Sequence, residues 1–201
     1  GVPADGDPEH YKSINKDPAT ATSAALSMVN TVKDSIRTRV VAVLAADGVN
    51  EQLINAMKAA LKAEGATAEV IAPQQAYVLS ATGKKVPVDK SFLTTASVFY
   101  DAVYVPGGAD SVAALEAEPD AIHFLNEAYK HCKAIAADED ALPVLKATYF
   151  GKKLNTGKNG KSDVDAGVVI GSDAAALAGE FIAAIAQHRF WEREKARKVP
   201  A

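Results

Sequence analysis

Val40-Val41-Ala42-Val43-Leu44 decides the fold. An unbroken apolar run of this length, rich in β-branched residues, reads as a strand covered on both faces, the habit of a central strand in a parallel sheet. Asn50 then stands at a helix-capping position, Leu53, Met57 and Leu61 recur every fourth residue, and Gly65 is placed as a C-terminal stop. Ala68-Glu69-Val70-Ile71 follows as a second strand. Strand, helix and strand in so short a stretch predict a right-handed crossover and a parallel α/β fold.

Further along, Ala76-Tyr77-Val78-Leu79 and Lys85-Val86-Pro87-Val88 flank Thr82-Gly83 and predict a hairpin, with Pro87 confined to a sheet edge. Ala102-Val103-Tyr104-Val105 reads as a buried strand ended by Pro106-Gly107-Gly108. Pro119 suits the first turn of a helix whose inner stripe is Ile122, Leu125, Tyr129 and Cys132. Lys133 to Ala137 is the next strand, followed by a short helix that Pro143 is expected to break. Gly151 to Asp165, rich in Gly, Lys and Asn, reads as a mobile surface loop. Gly167 to Ile170 is the last strand, and Asp173 caps a long helix carrying Leu177, Phe181, Ile185 and His188 on one face.

The segment before this pattern differs in character. Residues 1–38 are broken by Pro3, Pro8 and Pro18 and read as a linker or extended arm, whose one apolar patch is Ala24 to Val29. Residues 39–201 form the α/β domain. With 48% hydrophobic residues the chain can bury a sizeable core, and a net charge of −3 offers no electrostatic footprint for nucleic acid. The apolar runs are too short for a membrane span, and the start lacks the layout of a signal peptide, so a cytoplasmic location is expected. One cysteine excludes an internal disulfide, and the four histidines, His10, His123, His131 and His188, lack metal-ligand spacing, so no metal site is expected.

An open parallel sheet binds ligands beyond the C-terminal ends of its strands, where strand order reverses. Asp47-Gly48, Gly107-Gly108 and Asp138-Glu139 are expected to converge there. The glycine pair could present backbone N–H groups to an anion, and Asp47 and Glu139 are the candidate catalytic acids, with Gly107, Gly108 and Asp138 as binding residues. Each also has a plain structural reading, as a tight turn, a helix cap or a solvated acid. Ser111 reads as a capping residue after Gly108, and Cys132 as a buried, inert thiol. The chain lacks the phosphate loop G-x-x-x-x-G-K-[ST], which ranks a nucleotide- or flavin-binding module last.

Arg39 to about His188 resembles the ThiJ/PfpI superfamily, relatives of class I glutamine amidotransferases. The resemblance rests on Val40 to Leu44 with Asp47, Asp101 to Gly108, and Lys133 to Ala137. It implies a reactive cysteine near Glu139 and a downstream histidine partner for it, and this chain matches neither at the family's positions. Ser23 to Met28, Glu127-Ala128-Tyr129-Lys130-His131 and the ending His188-Arg189-Phe190-Trp191 through Val199-Pro200-Ala201 also look like the C-terminal portion of large-subunit haem catalases. That resemblance implies a flavodoxin-like three-layer sandwich with a parallel central sheet, preceded by an extended N-terminal arm. Haem cannot be ligated here as in that family: no tyrosine has an arginine four residues before it, as R-x-x-x-Y requires. The implied role is a non-catalytic accessory domain without a cofactor, in a parent that binds haem and decomposes hydrogen peroxide. Its implied partners are the catalase core, the other subunits of a homo-oligomer, and unfolded client proteins. It would stabilise the tetramer, line the access route to the haem and protect clients as a holdase. Leu26, Met28, Phe190 and Trp191 are the candidate exposed apolar residues. The alternative is a residual hydrolase or glyoxalase-like enzyme using Asp47 and Glu139.

Overall fold

The computed structural model describes residues 23–30, 33–154 and 167–195. The chain forms two compact units, Gly1–Thr31 and Val32–Ala201. In the first, residues 23–27 turn through Leu26 N–H to Ser23 C=O and Ser27 N–H to Ala24 C=O bonds, and Met28–Asn30 is a single 3-10 turn. Most of the expected arm, the greater part of the Gly151 to Asp165 loop and the end of the tail lie outside the described residues. Ile36, placed by composition in the arm, is a core residue of the second unit at 2% exposure.

That unit is a three-layer α/β sandwich. Its sheet has the order β5-β2-β1-β6-β7-β8 and all its pairings are parallel. The strands are β1 (Val40–Leu44), β2 (Thr67–Ala72), β5 (Lys90–Ser91), β6 (Ala102–Val105), β7 (Ala134–Asp138) and β8 (Val168–Gly171). Side chains alternate across each strand, so Val41 and Val43 face one layer while Ala42 and Leu44 face the other. Helices α1 (Glu51–Ala63) and α5 (Ala174–Ala186) cover the first face with Ile54, Met57, Leu61, Phe181 and Ile185. Helices α2 (Ala109–Ala117), α3 (Pro119–Lys130) and α4 (Leu142–Lys146) cover the second with Leu115, Phe124, Leu125, Val144 and Leu145. The hairpin β3 (Ala76–Leu79) and β4 (Lys85–Val88) forms a separate two-stranded sheet, as expected.

The local chemistry explains the ends of these elements. Asn50 Oδ1 accepts from Gln52 N–H at 3.0 Å and opens α1. Gly65, at φ +78°, closes it: Gly65 N–H bonds Lys62 C=O and Ala66 N–H bonds Leu61 C=O, the paired pattern of a Schellman stop. The stripe of α1 keeps Met57 and Leu61 as expected, while Ile54 rather than Leu53 is its buried member one turn earlier. Helix α3 ends by the same paired pattern, but Cys132 takes the left-handed position at φ +59°. Cys132 is therefore a helix stop rather than part of the helical stripe. His188, at φ +67°, likewise lies past α5 and not on its face. Pro143 sits in the first turn of α4, where its missing N–H costs nothing, so it starts that helix rather than breaking it.

Candidate functional site

Strand order reverses between β1 and β6, so the C-terminal ends of these strands, with β7 alongside, mark the expected ligand mouth. The three expected segments do meet there. Asn50 N–H donates to Gly107 C=O at 2.9 Å, and Gly107 N–H donates to Asp138 Oδ2 at 3.3 Å. A Cβ on Gly108 would lie 2.4 Å from Gly48 C=O, and one on Gly48 would lie 2.5 Å from Asp110 Cβ. The two turns thus cross backbone to backbone, and this contact is what demands glycine.

The contacts close the mouth on itself. Asp47 Oδ1 accepts from Leu79 N–H at 2.7 Å, and Gly48 N–H donates to Leu79 C=O at 2.7 Å. The hairpin is thereby fastened over the β1 turn. Glu51 completes the fastening with Thr82 Oγ1 at 2.9 Å and Lys84 Nζ at 2.8 Å. The Lys84 hydrogen bond, helped by Ser80, holds the Glu51 carboxyl down to about 2, against an opposing push from burial. Sequence reasoning missed Glu51 because a first-turn acid on a helix reads as a dipole partner and nothing more.

Asp138 is the centre of the arrangement. It is 4% exposed and accepts from the Tyr104 hydroxyl as well as from Gly107 N–H. Burial raises its carboxyl above the ordinary range, while the Tyr104 and Gly107 hydrogen bonds oppose that shift. The Tyr104 hydroxyl is raised in turn, by burial first and by Asp138 second. Strand β7 runs one residue beyond the expected Ala137, and its alternation turns Asp138 inward with Ala134 and Ala136. Only Glu139 and Asp140 of the acidic turn are exposed. Among the described residues no hydrogen bond joins Asp47 to Glu139.

The nucleophile candidates are elsewhere or engaged. Ser111 is not a cap; it lies inside α2, fully buried, where its Oγ accepts from Ala46 N–H at 2.9 Å. Cys132 precedes β7 and is 3% exposed at the opposite end of the strand from Asp138. No group of three metal-ligating side chains occurs among the described residues. None of the described helices is long and apolar enough to cross a membrane.

The N-terminal end of the sheet is built differently. Arg39 pairs with Asp101 at 2.9 Å, and Lys133, 3% exposed, donates to the carbonyl of Ser97. Arg193 bonds Lys133 C=O at 2.8 Å and lies over the Tyr129 ring at 4.2 Å. Phe190 is not an exposed anchor: it packs on the core and closes over Gly167, where a Cβ would meet its ring at 2.2 Å. Next to this pole, a cavity of about 200 Å³ opens between α3 and the 3-10 turn Ser97–Phe99.

Residues 37–195 match the family model for the C-terminal domain found in long catalases. The chain is 37% identical to Catalase HPII of Pseudomonas aeruginosa, over 93% of this chain and 25% of that one. It is 38% identical to Catalase HPII of Mycobacterium avium, over 92% of this chain and 27% of that one. Catalase-2 of Bacillus subtilis is 37% identical, over 86% and 23%. The chain therefore spans about a quarter of the length of the curated relatives it matches. Among solved structures, it is similar to a two-domain protein of Anabaena variabilis that contains DJ-1/ThiJ/PfpI-like and ferritin-like domains. The TM-score is 0.51 at 22% identity, over 54% of this chain and 33% of that one, a likeness of fold alone.

Proposed function

The chain belongs to the family of C-terminal domains found in long catalases, and from that premise we propose that it is a non-catalytic accessory domain of such an enzyme. Haem and peroxide chemistry reside, in this reading, in the part of a long catalase outside this chain. The domain holds no cofactor of its own. It stabilises the oligomer through the catalase core and neighbouring subunits, in the cytoplasm, and holds unfolded clients on exposed apolar surface.

One observation carries the reading. At the pole where this fold would present a reactive group, two of the candidate groups are engaged in internal hydrogen bonds. Gly107 N–H, one of the two candidate oxyanion donors, is spent on Asp138, and one Asp47 carboxylate oxygen is spent on Leu79 N–H. A residual hydrolase or glyoxalase using Asp47 and Glu139 gains no geometric support, because nothing couples the two acids or aims a donor at a reacting atom.

The holdase part is tested by light scattering from a heat-denatured client protein in the presence of the 201-residue chain. Suppressed aggregation at a molar excess is expected, and unchanged scattering would remove that part of the proposal. Methylglyoxal and a small peptide, offered to the same preparation, should remain unconverted. Turnover abolished by Glu139→Ala would restore the enzymatic reading.

A further inference from the structure

Positive charge gathers at the N-terminal end of the sheet. Strands β1, β6 and β7 lie side by side, with Val41 opposite Ala102 and Ala102 opposite Ala134. Arg39, Asp101 and Lys133 each stand one residue before these strands, so the register brings them together. The turn after α5 joins them: Phe190 N–H donates to Cys132 C=O at 2.8 Å, which carries Arg189 to the start of β7. All of these residues belong to the second compact unit.

The cluster holds more charge than it answers. Among the described residues, Asp101 is the only carboxylate acting on Lys133, His188 and Arg189, and it already pairs with Arg39 at 2.9 Å. Lys133, 3% exposed, donates to the Ser97 carbonyl and has no ion pair among the described residues. Arg189 has none there either and spends one donor on His188 C=O at 2.8 Å. Arg193 lies over the Tyr129 ring at 4.2 Å and is left out of the count. Three cations, Arg39, Lys133 and Arg189, thus face one carboxylate, which leaves two positive charges unanswered. Burial and then Arg189 lower the Lys133 ammonium to about 8, and burial, then Arg189 and Arg39, lower His188. The buried Nδ1 of His188 makes no hydrogen bond among the described residues. Lysine and arginine are seldom buried without an acid beside them, because an unanswered charge in low dielectric is costly. Titratable groups perturbed together in this way are characteristic of ligand sites.

The donors select the ligand. A guanidinium carries five N–H groups in a rigid fork that fits carboxylate and phosphate oxygens. Arg39 and Arg189 are both half-buried, and each makes one side-chain hydrogen bond among the described residues, so most of both forks is left over. Two unanswered charges and this many donors suit a tetrahedral dianion with several acceptor oxygens; a carboxylate brings one charge and two oxygens. We propose that the cluster binds a phosphate group, held in the forks of Arg39 and Arg189 with Lys133 behind them. The site is independent of the accessory-domain reading, and its failure leaves that reading untouched.

Calorimetric titration of the 201-residue chain tests it, with inorganic phosphate and adenosine monophosphate as probes at constant ionic strength. One site per chain is expected, and the bound probe should raise the melting temperature. Arg189→Gln should weaken binding at least about tenfold, the usual worth of a hydrogen bond to a charged group. Lys133→Met removes the buried charge and keeps much of the side chain's bulk. It should weaken binding as far, and it serves as the second variant should Arg189→Gln unfold the domain. Lys85→Gln, on the exposed hairpin at the opposite end of the sheet, should leave binding unchanged. Tighter binding of the monophosphate would support the site and make a phosphate ester its ligand, while equal or weaker binding would support it and make free phosphate the ligand. Three results would overturn the proposal: no heat with either probe, binding that survives both cluster variants, or a melting shift that sodium chloride reproduces at the same ionic strength.

Discussion

The two ends of the sheet solve opposite problems. At the C-terminal end, loops from β1, β6 and β7 interlock through Gly48, Gly108 and Asp138, and the β3–β4 hairpin is tied down over them. At the N-terminal end, Lys133 is held among the cations Arg189 and Arg193, and the adjoining Val98 and Phe99 stand in solvent. The end that open α/β sheets reserve for ligands is sealed, and the end that usually carries only connections keeps charge and apolar surface in reserve. The comparison teaches that the two poles of one framework can differ this far in how they engage their side chains.

The largest effect that would break this contrast concerns the seal. Gly108→Ala puts a methyl 2.4 Å from Gly48 C=O and 2.9 Å from Asn50 N, at a φ of +127°. Backbone lies on both sides, so the neighbours cannot yield cheaply. A loss of roughly 3 kcal/mol or more is expected in urea unfolding. Gly83 is the comparison: its φ is also positive, at +80°, but it has nothing within 4 Å, so Gly83→Ala should cost only about 1 kcal/mol. Equal losses at the two glycines would mean that the loops are not interlocked.

The next effect lies at the opposite pole. Burial, then Arg189, pushes the Lys133 ammonium down to about 8. A base lowered in the folded state destabilises the fold while it is charged. That penalty is full below pH 8 and is relieved as pH rises from 8 toward the ordinary lysine value of 10.5. Lys133→Met should therefore raise stability at pH 7 by about 1–3 kcal/mol, as seen when buried charges give way to apolar residues of similar shape. The gain should shrink between pH 8 and 10.5, measured by chemical denaturation across that range. A variant less stable than the parent at pH 7 would show that the Ser97 hydrogen bond outweighs the burial of charge.

The smallest effect sharpens the reading of the seal. Asp138 is raised, so the folded state holds its proton more tightly and stability declines as pH rises above the ordinary carboxylate value of 3.8. Asp138→Asn removes the charge and keeps an acceptor oxygen for Tyr104 and Gly107. It should change stability at pH 7 by no more than about 1 kcal/mol, in the stabilising direction, and flatten the acid limb of the pH profile. A large loss would give the ionised carboxylate a role beyond accepting these two hydrogen bonds.

The sequence was most legible where one local rule decided the outcome. The apolar run of β1, the Asn50 cap and the Gly65 stop are each settled by neighbours in the chain. The start of helix α2 was misplaced at Ser111, because Ala109-Asp110-Ser111-Val112-Ala113-Ala114-Leu115-Glu116-Ala117 carries only Val112 and Leu115 as large apolar residues, too few to draw a stripe. Cys132 and His188 occupy left-handed positions that normally announce themselves by glycine, so neither helix end was readable. At the site, the convergence of the three turns followed from the topology rule, while the inward turn of Asp138 hung on one extra residue of β7, which alternation alone leaves open. The exposure of Leu93, Val98 and Phe99 left no trace in the sequence, since scattered apolar residues among Ser and Thr look the same buried or bare.

The central claim is that this domain contributes assembly rather than chemistry. Sedimentation velocity on a temperature series tests it directly, comparing the long catalase with a form that ends before Val32 of the present numbering. The account predicts that the shortened enzyme dissociates at a lower temperature while its peroxide turnover per subunit, below that temperature, is unchanged. Identical dissociation of the two forms, with turnover lost in the shortened one, would contradict it.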